Sequence, residues 1–566
     1  MADSHKAVRS ITRKQSYLKR IELLRSERSS FIPEWEELSD YCLAHRGRFL
    51  VSDRNKGQRR NTKQINNACR LAVRTLASGM MAGITSPARP WFKLGMSDTA
   101  LMDNPDVKRW LLMVERVMRE IFNQSNTYRS LHAVYQELGV FGTASMGVFE
   151  NFDNVIRCKP YTIGSYFIAL NGKDEVDTWA REYQMTVSQL VSEFDYNNCS
   201  LTVQKQWDSG NTEAWIDVCH IIEPNDNRDH QSPMAKHKKF RSIYFEKAAP
   251  TNDDKFLRES GFDELATLNP RWEVTGEDIY GTDCPGTEAI GDTKALQLSE
   301  TQLYEGIEKR NNPHMVAPTS LRNVVAKGFL AGEVSFVDAV SANNGLRPVY
   351  QFDPKIGDHA TDIERVTNRI DKAFYVDLFL MLANSDRRQI TAREIAERHE
   401  EKLLMLGPVL ERLHNELLDP LIDRVFNIGM RAGIFGETPE VLSEKQIKVE
   451  YISILAQAQR MVATNAIDQT AGFVAELTSI WPEARHKLKP EKMIDDYAEA
   501  TGVSPDIVAT SDEYNQAVIA EQQQAQQQQA VDSASQLAGD AKTLSEIDPN
   551  ADTGLSNIMQ QMGLSG

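Results

Sequence analysis

TAREIAERHEEKLLMLGPVLERLHNELLDPLIDRVFNIGMRA, residues 391–432, carries apolar side chains at Leu403, Leu406, Leu410, Leu413, Leu417, Leu421, Val425 and Ile428. Steps of three and four put these on one stripe of a helix. Thr391 with Glu394 reads as a capping box, and the polar NSDRRQI before it reads as a loop, so the helix is expected to start there. Pro408 and Pro420 each remove a backbone donor inside the pattern, which predicts kinks or breaks rather than one straight rod. Just upstream, TDIERVTNRIDKAFYVDLFLMLA is a second amphipathic run with Ile363, Val366, Ile370, Ala373 and Phe374 on one side. Two long helices thus flank a short Arg-bearing loop. Their length exceeds what a compact domain needs.

The chain has 566 residues, room for three or four domains with ample core. Hydrophobic residues make up 41% and charged residues 25%, a globular composition rather than a disordered or membrane one. No run of 18 apolar residues occurs, and MADSHKAVRSITRKQ lacks an apolar signal core, so a cytosolic protein without membrane contact is expected. The cysteines at 42, 69, 158, 199, 219 and 284 show no metal or redox spacing and read as buried reduced thiols. The formal net charge of −16 is uneven: residues 1–74 hold 17 Lys and Arg against 8 acids, residues 495–566 one against 12. That asymmetry suits head-to-tail subunit contacts or separate partners, and equally two solvated faces.

The first 140 residues read as mostly helical, with Asn104 capping and Pro105 opening the segment NPDVKRWLLMVERVMREIFNQ. From about 146 to 250 the apolar period changes to two in MGVFENF, SYFIAL, EAWIDVCHII and FRSIYFEKA, and Asn171-Gly172 signals a hairpin turn. A helical pattern returns at GTEAIGDTKALQLSETQLYEGIEKRNN. Residues 313–356 are short strands and turns, and a helix follows from about Asp358, so a small insert joins two antiparallel helices. KQIKVEYISI is strand-like, 456–500 is helical again, and the Gln-rich tail with EQQQAQQQQA reads as disordered or as a polar helix packed on its own copies.

No catalytic constellation stands out. GTASMG at 142–147 has Val148 where a phosphate loop needs lysine, and reads as a tight glycine turn entering the sheet. His399-Glu400-Glu401 lacks the second histidine of a zinc protease. No cofactor or metal is implied, and the chain does not read as an enzyme. In SGMMAGITSPARPWF, Gly79 and Gly83 permit close backbone approach, and two prolines present Trp91 and Phe92. These aromatics either close the core or anchor a subunit interface.

Four strings, LASGMMAGITSPARPWF, HAVYQELGVFGTASMGVFE, YGTDCPGTEAIGDTKALQ and ITAREIAERHEEKLLMLGPVLERLHNELLDPLIDR, resemble the portal, or head-to-tail connector, proteins of short-tailed bacteriophages. They run in the family's order and cover most of residues 30–460; the ends match least. The resemblance implies a mainly α fold with α+β parts, assembled as a dodecameric ring at one capsid vertex. DNA enters through the ring under a separate terminase motor and later leaves through the tail. Carried over by order, 1–285 and 392–455 correspond to the wing, and 286–311 and 357–383 to two stem helices. The clip is 312–356, the tunnel loop 384–391, the crown 456–512, and 513–566 a tail that is disordered or extends the crown as a helical barrel.

The implied partners are further copies of the chain, double-stranded DNA without sequence readout, the terminase large subunit, tail adaptor and nozzle proteins, major capsid and scaffolding proteins, and internal head or core proteins. The implied location is the virion capsid vertex, after assembly in the host cytoplasm. Asn384, Arg387, Arg388 and Gln389 of the tunnel loop are candidate DNA contacts; Arg387 and Arg388 could instead pair with Asp386, Glu394 or a neighbouring subunit. A chain this acidic is a poor static DNA binder and a reasonable low-friction conduit, because tight binding needs many Lys and Arg to displace counterions. A capsid or scaffold protein without a DNA channel is the alternative.

Overall fold

The computed structural model describes residues 12–52, 62–96, 104–249, 255–311, 315–316, 347–348, 356–383, 406–439, 447–451 and 471–478, and isolated positions from 481 to 523. The chain forms two compact units, Met1–Val462 and Ala463–Gly566, against the three or four that length allows. The largest of three apolar clusters in the first unit runs from Trp35 to Phe435, so residues far apart in the sequence share one core. The second is described mainly by a short helix at 471–478.

In the first unit, α1 (Arg13–Arg28) opens with a Thr12–Gln15 capping box, and α2 (Ile32–Tyr41) and α3 (Ala68–Gly83) follow. Cys42 and Cys69 form a disulfide pair with Cα atoms 5.5 Å apart, a correction to the six reduced thiols expected from spacing. The partners lie 27 residues apart and meet only because the end of α2 packs on the start of α3. The other four cysteines are free and buried. After β1 (Phe92–Met96), α4 (Pro105–Gln124) starts as its sequence demands: the Asn104 side chain accepts from the Asp106 N–H at 3.0 Å, and Pro105 takes the first turn, where no donor is needed. α5 (Thr127–Phe141) ends at Gly142, whose φ of 68° suits the left-handed cap and supports the glycine-turn reading of GTASMG.

The sheet region holds β2 (Ser145–Asn151), β3 (Val155–Tyr161), β4 (Tyr166–Leu170), β5 (Val176–Thr186), α6 (Val187–Phe194) and α7 (Leu201–Asp208). It continues with β6 (Trp215–Pro224), β7 (Phe240–Glu246), β8 (Arg258–Phe262) and β9 (Thr267–Leu268). These make an antiparallel three-stranded sheet, β3-β2-β9, and an antiparallel five-stranded sheet, β4-β5-β6-β7-β8. Asn171-Gly172 turns β4 into β5 as its sequence suggests. The alternation that marks β2, β4, β6 and β7 in the sequence is missing from β3, β5 and β8, whose apolar residues are interrupted by Arg, Lys and Glu.

The remaining elements are α8 (Pro285–Asn311), β10 (Met315–Val316), β11 (Arg347–Pro348), α9 (Ile356–Ala373) and α10 (Val376–Ala383). Where one helix was expected through 383, Tyr375 takes φ 53°, outside the range a helix propagates, and separates α9 from α10. From the opening stretch, residues 406–413 are helical and run through a π turn, His414–Leu418, into α11 (Asp419–Arg431). The Asp419 N–H donates to the His414 carbonyl, a five-residue step. Widening this turn gives the Pro420 ring room against the carbonyl it would otherwise crowd, so the helix passes the proline instead of breaking. Its stripe, Leu406, Leu410, Leu413, Leu417, Leu421, Val425 and Ile428, is buried throughout, worth roughly 1.5–3 kcal/mol per side chain before ordering costs. The capping box at Thr391 and Leu403 lie outside the described residues. β12 (Ile447–Tyr451) pairs antiparallel with β1, Phe92 opposite Tyr451.

Candidate functional site

The element most unlike an ordinary globular fold is the pair α8 and α9. They run antiparallel: Arg369 near the end of α9 pairs with Asp292 near the start of α8 at 2.6 Å, and β10 pairs with β11 beyond their other ends. Residues 317–346 therefore form an insert closed at its neck by two strands, and their own structure lies outside the described residues.

α8 is rooted at one end and free at the other. At its root, the Cys284 N–H donates to Thr287 Oγ1 at 2.9 Å, and Gly286 lies against the backbone of Val140 where a side chain would collide. About three turns along the helix, the Gln297 amide oxygen accepts from the Ile65 and Asn66 N–H groups at 2.6 and 2.8 Å, and its nitrogen donates to the Asn66 carbonyl at 2.9 Å. Lys294 pairs with Glu37 of α2. Beyond Gln297 only Gly306 is fully buried, and Leu298 and Tyr304 stand 59% and 61% exposed, so the face of α8 that carries them is not covered by the described residues. α9 buries Val366, Ile370 and Ala373 and turns Thr361, Glu364, Arg365 and Asn368 to solvent.

The pair carries nine Asp and Glu against six Lys and Arg. Carboxylates crowd its root: burial, then the charge of Asp283, raises the Glu288 pKa, and burial with Glu37 and Asp283 raises that of Glu34. Such a surface attracts polyanions weakly.

The candidate site residues fall as follows. Asn384, Arg387, Arg388 and Gln389 lie outside the described residues, directly after the end of α10. Trp91 and Phe92 are buried in the chain's own core at 1% and 0% exposure, the rings 4.7 Å apart and both against Phe122. Trp91 Nε1 donates to the Tyr128 hydroxyl at 3.3 Å. Of the two readings the sequence allows for these aromatics, the structure shows the core one: both rings pack inward against α4 and α5. Gly79 does serve close approach, since Phe379 of α10 occupies the space a side chain would take.

Two buried arginines that escaped sequence reading tie the long helix to the sheets. Arg271 grips Glu416 in the π turn at 2.7 Å, while the Arg271 N–H donates to the same carboxylate at 2.8 Å. Arg424 donates through Nε to the Val148 carbonyl at 2.7 Å and meets Glu264 at 3.2 Å; burial pulls its pKa down to about 10. Their partners stand 145 or more residues away, so no local pattern marks them. Among the described residues no group of acids, histidines and cysteines is placed to hold a metal, and no helix is long and apolar enough to cross a membrane.

Residues 14–508 match the family described as Bacteriophage head to tail connecting protein. The chain is 45% identical over 549 residues to the "Portal protein" of Salmonella phage epsilon15, covering 96% of this chain and 98% of the relative. It is 42% identical over 550 residues to the "Probable portal protein" of Bordetella phage BPP-1, covering 97% and 98%. A full-length match of this strength, on a chain whose helix pair and insert stand as described, places it in the family of bacteriophage head-to-tail connecting proteins, the portal proteins.

Proposed function

We propose that copies of this chain close into a ring, a dodecamer, at one capsid vertex, with α8 and α9 as the stem that lines an axial channel for double-stranded DNA. The observation that carries this reading is the antiparallel pair itself: its inner half is anchored by Gln297 and Gly286, and Leu298 and Tyr304 on its outer half are not covered by the described residues. Neighbouring copies would supply that cover through head-to-tail contacts, which close when the rotation per copy divides a full turn. A net acidic stem suits a conduit, because DNA must slide past without being held.

The insert between β10 and β11 would act as the clip, docking the terminase large subunit during packaging and tail adaptor and nozzle proteins afterwards. Major capsid and scaffolding proteins would surround the ring, and internal head or core proteins would meet the crown and the Gln-rich tail. Assembly would take place in the host cytoplasm, and the chain would work without catalysis of its own. Arg387 and Arg388 would touch phosphates transiently from the tunnel loop.

The test is the double change Arg387→Ala, Arg388→Ala in assembled particles, with rings viewed down the axis by electron microscopy. Rings with an open channel and particles that leak packaged DNA are the expected result. An absent channel refutes the portal architecture; intact rings that retain and eject DNA like the parent remove the DNA role from these two arginines.

A further inference from the structure

Away from the stem, a cleft of about 780 Å³ opens between the end of α1, the segment 45–51, β3 and β5. Seven Lys and Arg line it against a single carboxylate, Glu182. Part of that charge is already matched. Arg25 and Lys247 share Glu182 at 2.5 and 3.3 Å, and Arg46 reaches Glu137 behind the wall at 3.1 Å. Arg28, Arg48, Lys159 and Arg181 have no carboxylate partner among the described residues.

Arg28 separates this cleft from an ordinary solvated basic face. It is 5% exposed, its Nη1 donates to the Gly164 and Tyr166 carbonyls at 2.5 and 2.8 Å, its guanidinium lies 4.1 Å from the Phe167 ring centre, and its Nε has no hydrogen-bond partner among the described residues. The Arg181 Nε likewise has no hydrogen-bond partner among the described residues, its guanidinium lying 3.7 Å from the Tyr183 ring centre. A guanidinium held this deep keeps its charge poorly solvated and unmatched by any carboxylate, and an anion in the cleft would stabilise it through its charge. Lys159 belongs to the same group of charges: the protein packed about its ammonium, with Arg181 and Arg157 beside it, holds its pKa down to about 8. The backbone shapes the wall. Gly164, at φ 82°, lies so close to the Arg48 carbonyl that no side chain fits there.

We propose that this cleft is a binding site for a small phosphate-bearing anion, held by Arg28 from its floor and by Arg48, Lys159 and Arg181 from its sides. The source of the phosphate is a free species such as inorganic phosphate, pyrophosphate or a nucleotide's polyphosphate. A DNA duplex is about 20 Å across by its groove and backbone dimensions and cannot bring a phosphodiester down to a side chain as deep as Arg28. The site is independent of the channel reading, since it uses none of the stem or tunnel-loop residues.

The experiment is calorimetric titration of the assembled full-length protein with inorganic pyrophosphate at low ionic strength, and separately with a short blunt DNA duplex. Arg48→Gln and Lys159→Gln are the test variants, because neither side chain caps backbone carbonyls as Arg28 does. The expected result is saturable pyrophosphate binding at one site per chain. Each variant should weaken it about ten-fold with an unchanged melting temperature, the loss of one charge-assisted contact. Absent saturable binding by the parent, or variants that bind like the parent, overturns the site. Duplex binding that the same variants weaken, with no pyrophosphate binding, overturns the small-anion assignment in favour of a DNA-backbone contact.

Discussion

Glu416→Ala should loosen the long helix from the sheets without touching any apolar contact. Glu416 sits in the π turn and accepts three donors from Arg271: the main-chain N–H at 2.8 Å, Nη2 at 2.7 Å and Nε at 3.2 Å. The Arg271 side chain is 4% exposed and that of Glu416 20%. Removing the carboxylate leaves the guanidinium buried with the Asp174 carbonyl, at 2.9 Å, as its remaining recorded partner. Breaking a buried pair from one side costs about 3–5 kcal/mol; the partial exposure of Glu416 puts this case at the lower end, about 3 kcal/mol. If α11 opens as one unit, that corresponds to roughly a hundred-fold faster amide exchange along it, readable by hydrogen exchange with mass spectrometry. The control is the double change Arg271→Met, Glu416→Leu, which removes both charges and should recover most of the protection, since the penalty lies in the orphaned charge. Protection in Glu416→Ala within two-fold of the parent, or a double variant as loose as the single one, would refute the assignment of this pair as the clamp.

Gly281→Ala should cost several kcal/mol or prevent folding, because the new methyl would meet the backbone of Gly142, which cannot yield; Gly276→Ala, in open space but at φ 62°, should cost only about 1 kcal/mol, and equal denaturation midpoints for the two would contradict this. Glu137 is buried, and despite Arg46 at 3.1 Å and the Ile163 N–H its pKa is pushed up to about 7 by burial. A carboxyl whose folded pKa exceeds its unfolded one contributes stability that is fully present below the unfolded value and lost as pH rises through the folded one. The stability of the parent relative to Glu137→Gln should therefore fall between about pH 4.5 and pH 7 and level off above it, as followed by urea midpoints; a difference flat over that window would contradict the burial argument. Replacing residues 314–350 by a Gly-Ser linker should leave rings intact and abolish terminase binding in a pull-down, and unchanged binding would move the docking site elsewhere.

The sequence by itself determined the position of several helices and the cap of α4. α8 runs within one residue of its expected limits, and Asn104 with Pro105 opens α4, because periodicity and capping act over three or four residues. The stripe from Leu406 to Ile428 is buried in full for the same reason. The four motifs carrying the portal resemblance were legible too, being contiguous strings, and the full-length matches agree with them.

Only the tertiary structure decided what distant residues do together. β1 finds β12 across more than 340 residues, Cys42 finds Cys69 across a helix-to-helix junction, and Trp91 with Phe92 turn into the core although both faces of the chain were open to them on sequence grounds. Pro420 predicts a kink or break, and the helix instead widens by a π turn just before it, because the apolar stripe on either side gains more from staying in the core than one widened turn costs. The basic cleft is the clearest case. Its arginines and lysines come from five separate segments, each unremarkable alone, and only packing leaves Arg28 buried without a partner for one nitrogen, since desolvation depends on what surrounds a charge in space and not on its neighbours along the chain.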